Sequence, residues 1–176
     1  MAVELQIIPE CFVDTTLVSA LLDGIGVNHQ KSCNKVVACM TGKFSDSFTV
    51  GIIDNDKRRP GYLDQFNRIA YSKHLQLFKH PQRHHYIIIV SPAVEGFIID
   101  CVTISGLSMA DYGLPDNLTG LKRITKHIVT SRDTKLINLF QNMSTVGEFK
   151  ILKNVLMYLM EKRYESDTEE LCKFFD

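Results

Sequence analysis

Three acidic stations close apolar runs in this chain. Glu10 ends the run at 3–10, Asp54 and Asp56 end the run at 48–56, and Glu95 follows the Ile-rich run at 86–90. Short runs rich in Ile and Val and bounded by turn residues read as buried parallel strands, so their carboxyl ends would gather these acids at one edge of a sheet. In open α/β sheets that edge is where ligands bind. Two carboxylates about 4 Å apart repel by roughly 4 kcal/mol at an effective dielectric near 20. A shared proton or a divalent cation relieves that cost. Asp54 and Asp56 are two residues apart and point to the same side of an extended chain, which suits oxygen ligation of one Mg²⁺ or Mn²⁺.

The elements needed to place these acids alternate along the first hundred residues. The sequence predicts a helix over 14–23 capped by Asp14, a short strand near 25–29, a helix carrying Cys33, Val36, Val37 and Met40 that stops at Gly42, and a strand over 48–53. Pro60 predicts the first turn of a third helix carrying Tyr62, Phe66, Ile69 and Ala70. Strands at 75–78 and 86–90 follow, and a helix begins near Val94 with Glu95 in its first turn, where the helix dipole favours an anion. After a loop over 107–117, apolar stripes predict helices at 118–129, 133–143 and 149–164. The expected architecture is a single α/β domain with a mainly parallel sheet flanked by helices (1–105) and a helical extension packed on it (106–176).

Composition narrows the partners. The chain has 176 residues, enough for one domain with a full core, and 20 basic residues balance 20 acidic ones. Zero net charge supplies no global field for nucleic acid, so such a substrate needs a local basic patch. Five scattered cysteines without a Cys-x-x-Cys pair predict reduced thiols. No apolar run reaches the ~18 residues of a membrane span, and no leader pattern opens the chain, so the expectation is a cytoplasmic protein that does not enter a membrane.

A glutamate ending the first strand, then Asp-x-Asp ending a later hydrophobic strand, resembles the Toprim domain of topoisomerases, primases and OLD-type nucleases; here these are Glu10 and Asp54-Asn55-Asp56. The segment Ser91-Pro92-Ala93-Val94-Glu95-Gly96-Phe97 is similar to the Pro-x-x-Glu-aromatic segment of small stand-alone Toprim proteins, several of which belong to bacterial anti-phage (phage defence) loci. The resemblance covers roughly residues 3–100. It implies a Mg²⁺- or Mn²⁺-dependent nuclease or related phosphotransfer enzyme, with nucleic acid as a substrate, an oligomer or a separately encoded ATPase as a partner, and Glu10, Asp54, Asp56 and Glu95 as metal ligands. Glu10 would also move a proton, and Lys57, Arg58 and Arg59 would hold the phosphate. The chain departs from the family pattern at Cys11, where Toprim proteins usually have glycine, and it contains no Gly-x-x-x-x-Gly-Lys phosphate loop.

Each acid also suits a plainer role. Asp54 and Asp56 fit a strand-terminal turn, Glu10 a solvated helix entry, Glu95 a helix N-terminus, and 57–59 a solvated turn. A Toprim-like module that binds and regulates a partner without catalysis is the alternative. His80, His84 and His85 read as a surface loop. Cys39 and Cys101 read as core filler.

Overall fold

The computed structural model describes residues 3–55, 58–127 and 132–176. Its elements are β1 (Val3–Glu4), β2 (Ile7–Pro9), α1 (Phe12–Leu21), β3 (Gly26–Val27), α2 (Cys33–Thr41), β4 (Thr49–Asp54), β5 (Asn67–Tyr71), β6 (Leu75–Lys79), β7 (His85–Val90), α3 (Val94–Ser105), α4 (Leu118–Thr125), α5 (Thr134–Met143), α6 (Gly147–Lys162) and α7 (Thr168–Cys172). The result is α/β, with a five-stranded sheet in the order β2-β4-β7-β6-β5 and a two-stranded parallel pair, β1-β3, beside it. The predicted sheet is only half parallel: β2, β4 and β7 run together, whereas β6 and β5 are added antiparallel. The antiparallel half follows from short connections at 72–74 and 80–84, which can join strands only as hairpins.

Side-chain alternation along the central strands feeds two cores. Val50 and Ile52 of β4, with Tyr86, Ile88 and Val90 of β7, face a layer built from α1, α3, α5 and α6, including Leu17, Phe97, Phe140 and Leu156. Ile53, Ile87 and Ile89 face the other way, onto Val36, Val37 and Met40 of α2. The first of these cores extends from Ile7 to Leu171, so the C-terminal helices pack on the same face of the sheet as α1 and α3. Gly51 makes the close approach of α2 possible: a Cβ there would lie 2.7 Å from Ile87 Cδ1 and 2.9 Å from Val36 Cγ1.

Three local expectations are corrected. The helix predicted from Pro60 is a short 3₁₀ turn at Gly61–Gln65, after which the chain extends into β5, where Ala70 pairs with Leu77. Tyr62, Phe66, Ile69 and Ala70 fit helical spacing, but sheet pairing decides. Asp14 is not the cap of α1; Cys11 holds that position and Asp14 lies inside the first turn. His80 and His85 are buried rather than on a surface loop, at 3% and 0% exposure. His85 Nε2 lies 2.9 Å from the Phe44 carbonyl and its Nδ1 2.6 Å from the Tyr62 hydroxyl, while His80 Nδ1 accepts from the Gln82 and Arg83 amides. The exposed His84 instead meets Tyr164 edge to face. The helix expected at 118–129 is described as α4, and residues 128–129 lie outside the described residues. No helix among the described residues is long and apolar enough to cross a membrane.

Candidate acidic site at the carboxyl edge of the sheet

The parallel strands β2, β4 and β7 end side by side; β2 leads into α1 and β7 into α3, whereas β4 is followed by the 3₁₀ turn at Gly61–Gln65. Glu10 follows β2 and is held at three points. Its amide donates to the Ile52 carbonyl (3.0 Å), Oε1 accepts from the Cys33 amide opening α2 (3.0 Å), and Oε2 accepts from the Asp54 amide (3.0 Å). Asp54 ends β4, and its Oδ1 accepts from the Val94 amide that opens α3 (3.0 Å). Both carboxylates thus occupy helix N-termini, where free amides and the helix dipole favour an anion. Glu95 sits in the first turn of α3, and its Oε1 accepts from the Thr125 hydroxyl at the end of α4 (2.6 Å).

Asp14 completes the cluster, and sequence reasoning missed this role. One turn of α1 folds it back toward the strand ends, four residues after Glu10, and it is 1% exposed. Its Oδ2 accepts from the Cys11 thiol (3.0 Å), and its Oδ1 is buried with no hydrogen-bond partner among the described residues. The signal available in sequence was a charged residue between Val13 and Leu17 on an otherwise apolar helix, where a buried acid requires a partner.

Burial, together with repulsion among the acids, raises their proton affinity. The Asp54 carboxyl is pushed up to about 7, first by burial and then by Glu10 and Glu95, against the opposing effects of the Val94 amide and the Lys122 ammonium. The Asp14 carboxyl is raised well above its ordinary value, first by burial and then by Asp54, with Glu10 and Glu95 adding to it. Burial and Asp14 push the Cys11 thiol far up, so it stays a neutral donor beside the cluster.

Glu10, Asp54 and Glu95, expected to converge, do lie together at one sheet edge. Asp56 and Lys57 lie outside the described residues. Arg58 and Arg59 are exposed beyond the end of β4, and Arg59 bonds to the Asn55 side chain, which itself donates to Ser91 Oγ. Among the described residues, Lys122, near the C-terminus of α4, is a cation whose field reaches Asp54, and its sequence motif gave no sign of this. Comparison with models of protein families, with curated proteins and with solved structures returned no match.

Proposed function

We propose that the acidic cluster holds a divalent metal ion, Mg²⁺ or Mn²⁺, and that the protein is a metal-dependent nuclease or a related phosphotransfer enzyme. The observation that carries this reading is the Asp14 carboxylate: fully buried, with one oxygen unpartnered, among three other acids. A buried anion in that setting is expensive unless it is neutralised or coordinated. An all-oxygen donor set suits hard cations of this kind. Asp14, Asp54, Glu10 and Glu95 would hold the ion. When bound, the ion supplies a more acidic water and a polarised phosphoryl oxygen.

The remaining roles belong to the chain itself. Glu10 has both oxygens on backbone amides, which fixes its position and favours ligation over proton transfer. Lys122 brings a positive charge toward the cluster and offsets the repulsion between an acidic site and a phosphate. Arg58 and Arg59, which follow Asp56 and Lys57 in sequence, would offer further phosphate contacts.

Purified protein with Mn²⁺ should nick or degrade DNA or RNA, and Asp54→Asn and Asp14→Asn should each remove the activity by 100-fold or more while circular dichroism stays native, as expected for loss of a metal that supplies several kcal/mol. One observation favours a second reading, a regulatory binding module: the Cys11 side chain fills the position beside Glu10 where Toprim proteins keep glycine, and its thiol is spent on Asp14. Tight Mn²⁺ binding by calorimetry, with single-stranded, double-stranded and RNA substrates all left intact at high protein concentration, would decide for that module and against the nuclease.

A further inference from the structure

A second cluster, on other elements, joins a nitrogen, a sulfur and an oxygen donor. His74 in the turn between β5 and β6, Cys101 on α3 and Glu148 in the first turn of α6 offer ligand atoms that all lie within 4.8 Å of one another. His74 is 3% exposed and Cys101 6% exposed. We propose that these three side chains form a zinc site that clasps the β5–β6 turn to the helical layer.

The surrounding hydrogen bonds already hold the donors in that orientation. Glu148 Oε2 accepts from the Ser72 hydroxyl (2.5 Å) and from the His74 amide (2.9 Å), which turns Oε1 toward the His74 ring, 2.8 Å from Nδ1. The other ring nitrogen, Nε2, lies 2.9 Å from Asp100 Oδ2, and Asp100 is in turn paired with Lys73 at 3.5 Å. A carboxylate behind one nitrogen of a histidine fixes its tautomer and aims the other nitrogen at a metal. With Nε2–H donating to Asp100, Nδ1 would exchange its 2.8 Å contact with Glu148 Oε1 for the ion, and both atoms would become ligands. The Phe97 ring stands edge-on to the imidazole at 5.9 Å, which limits its rotation.

A purely structural hydrogen-bond network accounts for His74, Asp100 and Glu148, and Cys101 belongs to the apolar core as expected, but core packing does not require its thiol to lie within ligand distance of both polar donors. Cys101 Sγ has no hydrogen-bond partner among the described residues and yet faces both polar donors. Thiolate and imidazole select zinc over Mg²⁺ or Mn²⁺, which separates this site chemically from the all-oxygen cluster. On binding, the thiol proton and any Nδ1 proton leave to solvent. Three protein donors leave one position of a tetrahedral ion to water.

Cobalt is the probe. Chelator-treated, full-length protein titrated with Co²⁺ should gain the visible bands of a tetrahedral ion and a sulfur-to-cobalt charge-transfer band in the near ultraviolet, saturating at one equivalent and displaced by Zn²⁺ but not by Mg²⁺. The charge-transfer band should vanish in Cys101→Ser and persist in Cys11→Ser, a cysteine whose thiol donates to the Asp14 carboxylate. Asp100→Asn removes no ligand and alters an accessible side chain, and it should weaken Co²⁺ affinity about 10-fold or more. A wild-type spectrum without a sulfur band, or a band retained in Cys101→Ser, would overturn the proposal. Should Cys101→Ser not fold, unchanged affinity in Asp100→Asn would overturn it instead.

Discussion

At the residue scale, Asp54 shows how one side chain can be both well bonded and destabilising. Its Oδ1 accepts the Val94 amide, yet its carboxyl is raised from 3.8 to about 7 because burial and the charge of Glu10 outweigh that bond. A carboxylate raised in the folded state costs nothing below its unfolded value, and the cost grows as pH climbs through the folded value. Asp54→Asn keeps an oxygen for the Val94 amide and deletes the charge. In metal-free protein at pH 8 the variant should therefore melt a few degrees higher than wild type, a gain on the order of 1–2 kcal/mol after allowing for partial solvent access and for sharing of the shift with Asp14. At pH 4 the two should melt together. Scanning calorimetry across that range checks it, and a pH-independent difference would mean that Asp54 is not held in this electrostatic environment.

At the element scale, the cluster depends on how closely α2 lies on β4, because the first amide of α2 is what holds Glu10 Oε1. That spacing is set at Gly51. A Cβ added there meets Ile87, Val36 and Met40 at 2.7, 2.9 and 3.1 Å, all side-chain atoms that can yield only by pushing the helix or changing rotamer. Gly51→Ala should cost about 1–3 kcal/mol as overpacking. By displacing Cys33 it should also weaken Mn²⁺ binding measured by calorimetry, although residue 51 touches no ligand. Gly61→Ala, where the added atom meets nothing within 4 Å, is the control and should change neither quantity. The strand ends that carry Glu10 and Asp54 were legible in sequence because continuous Ile and Val runs admit few other readings, and Glu95 was legible as a first-turn acid. Residues 62–70 were not, since four apolar residues at helical spacing also fit a half-buried edge strand and only the partner, β6, decides. Asp14 and Lys122 were hidden for a further reason. Their roles come from which helix ends reach the strand edge, a long-range arrangement that no local spacing encodes.

At the scale of the whole molecule, zero formal net charge leaves no global repulsion to dominate the pH dependence of stability, so a few buried groups should set it. They act in opposite directions over one window. His80 and His85 have lowered proton affinity, chiefly through burial, and His29, stacked on Phe12, shares that cause. Their contribution is complete above the unfolded histidine value near 6.5 and is lost as pH falls below it. Asp14 and Asp54, both raised, cost most at the high end of the same window and least at the low end. In metal-free protein the two slopes oppose each other between about pH 5 and 7, and the melting temperature should vary little there. The divalent ion proposed for the acidic cluster would bind only the folded, deprotonated form and so would cancel the carboxylate cost, leaving the histidine slope exposed. Saturating Mn²⁺ should therefore raise the melting temperature by an amount that grows from pH 5 to pH 8, giving a curve that rises with pH where the metal-free curve is flat. The same increment at both pH values would place the ion somewhere other than among these carboxylates. In Asp54→Asn, with part of the opposing slope already gone, the rising curve should be visible before any metal is added.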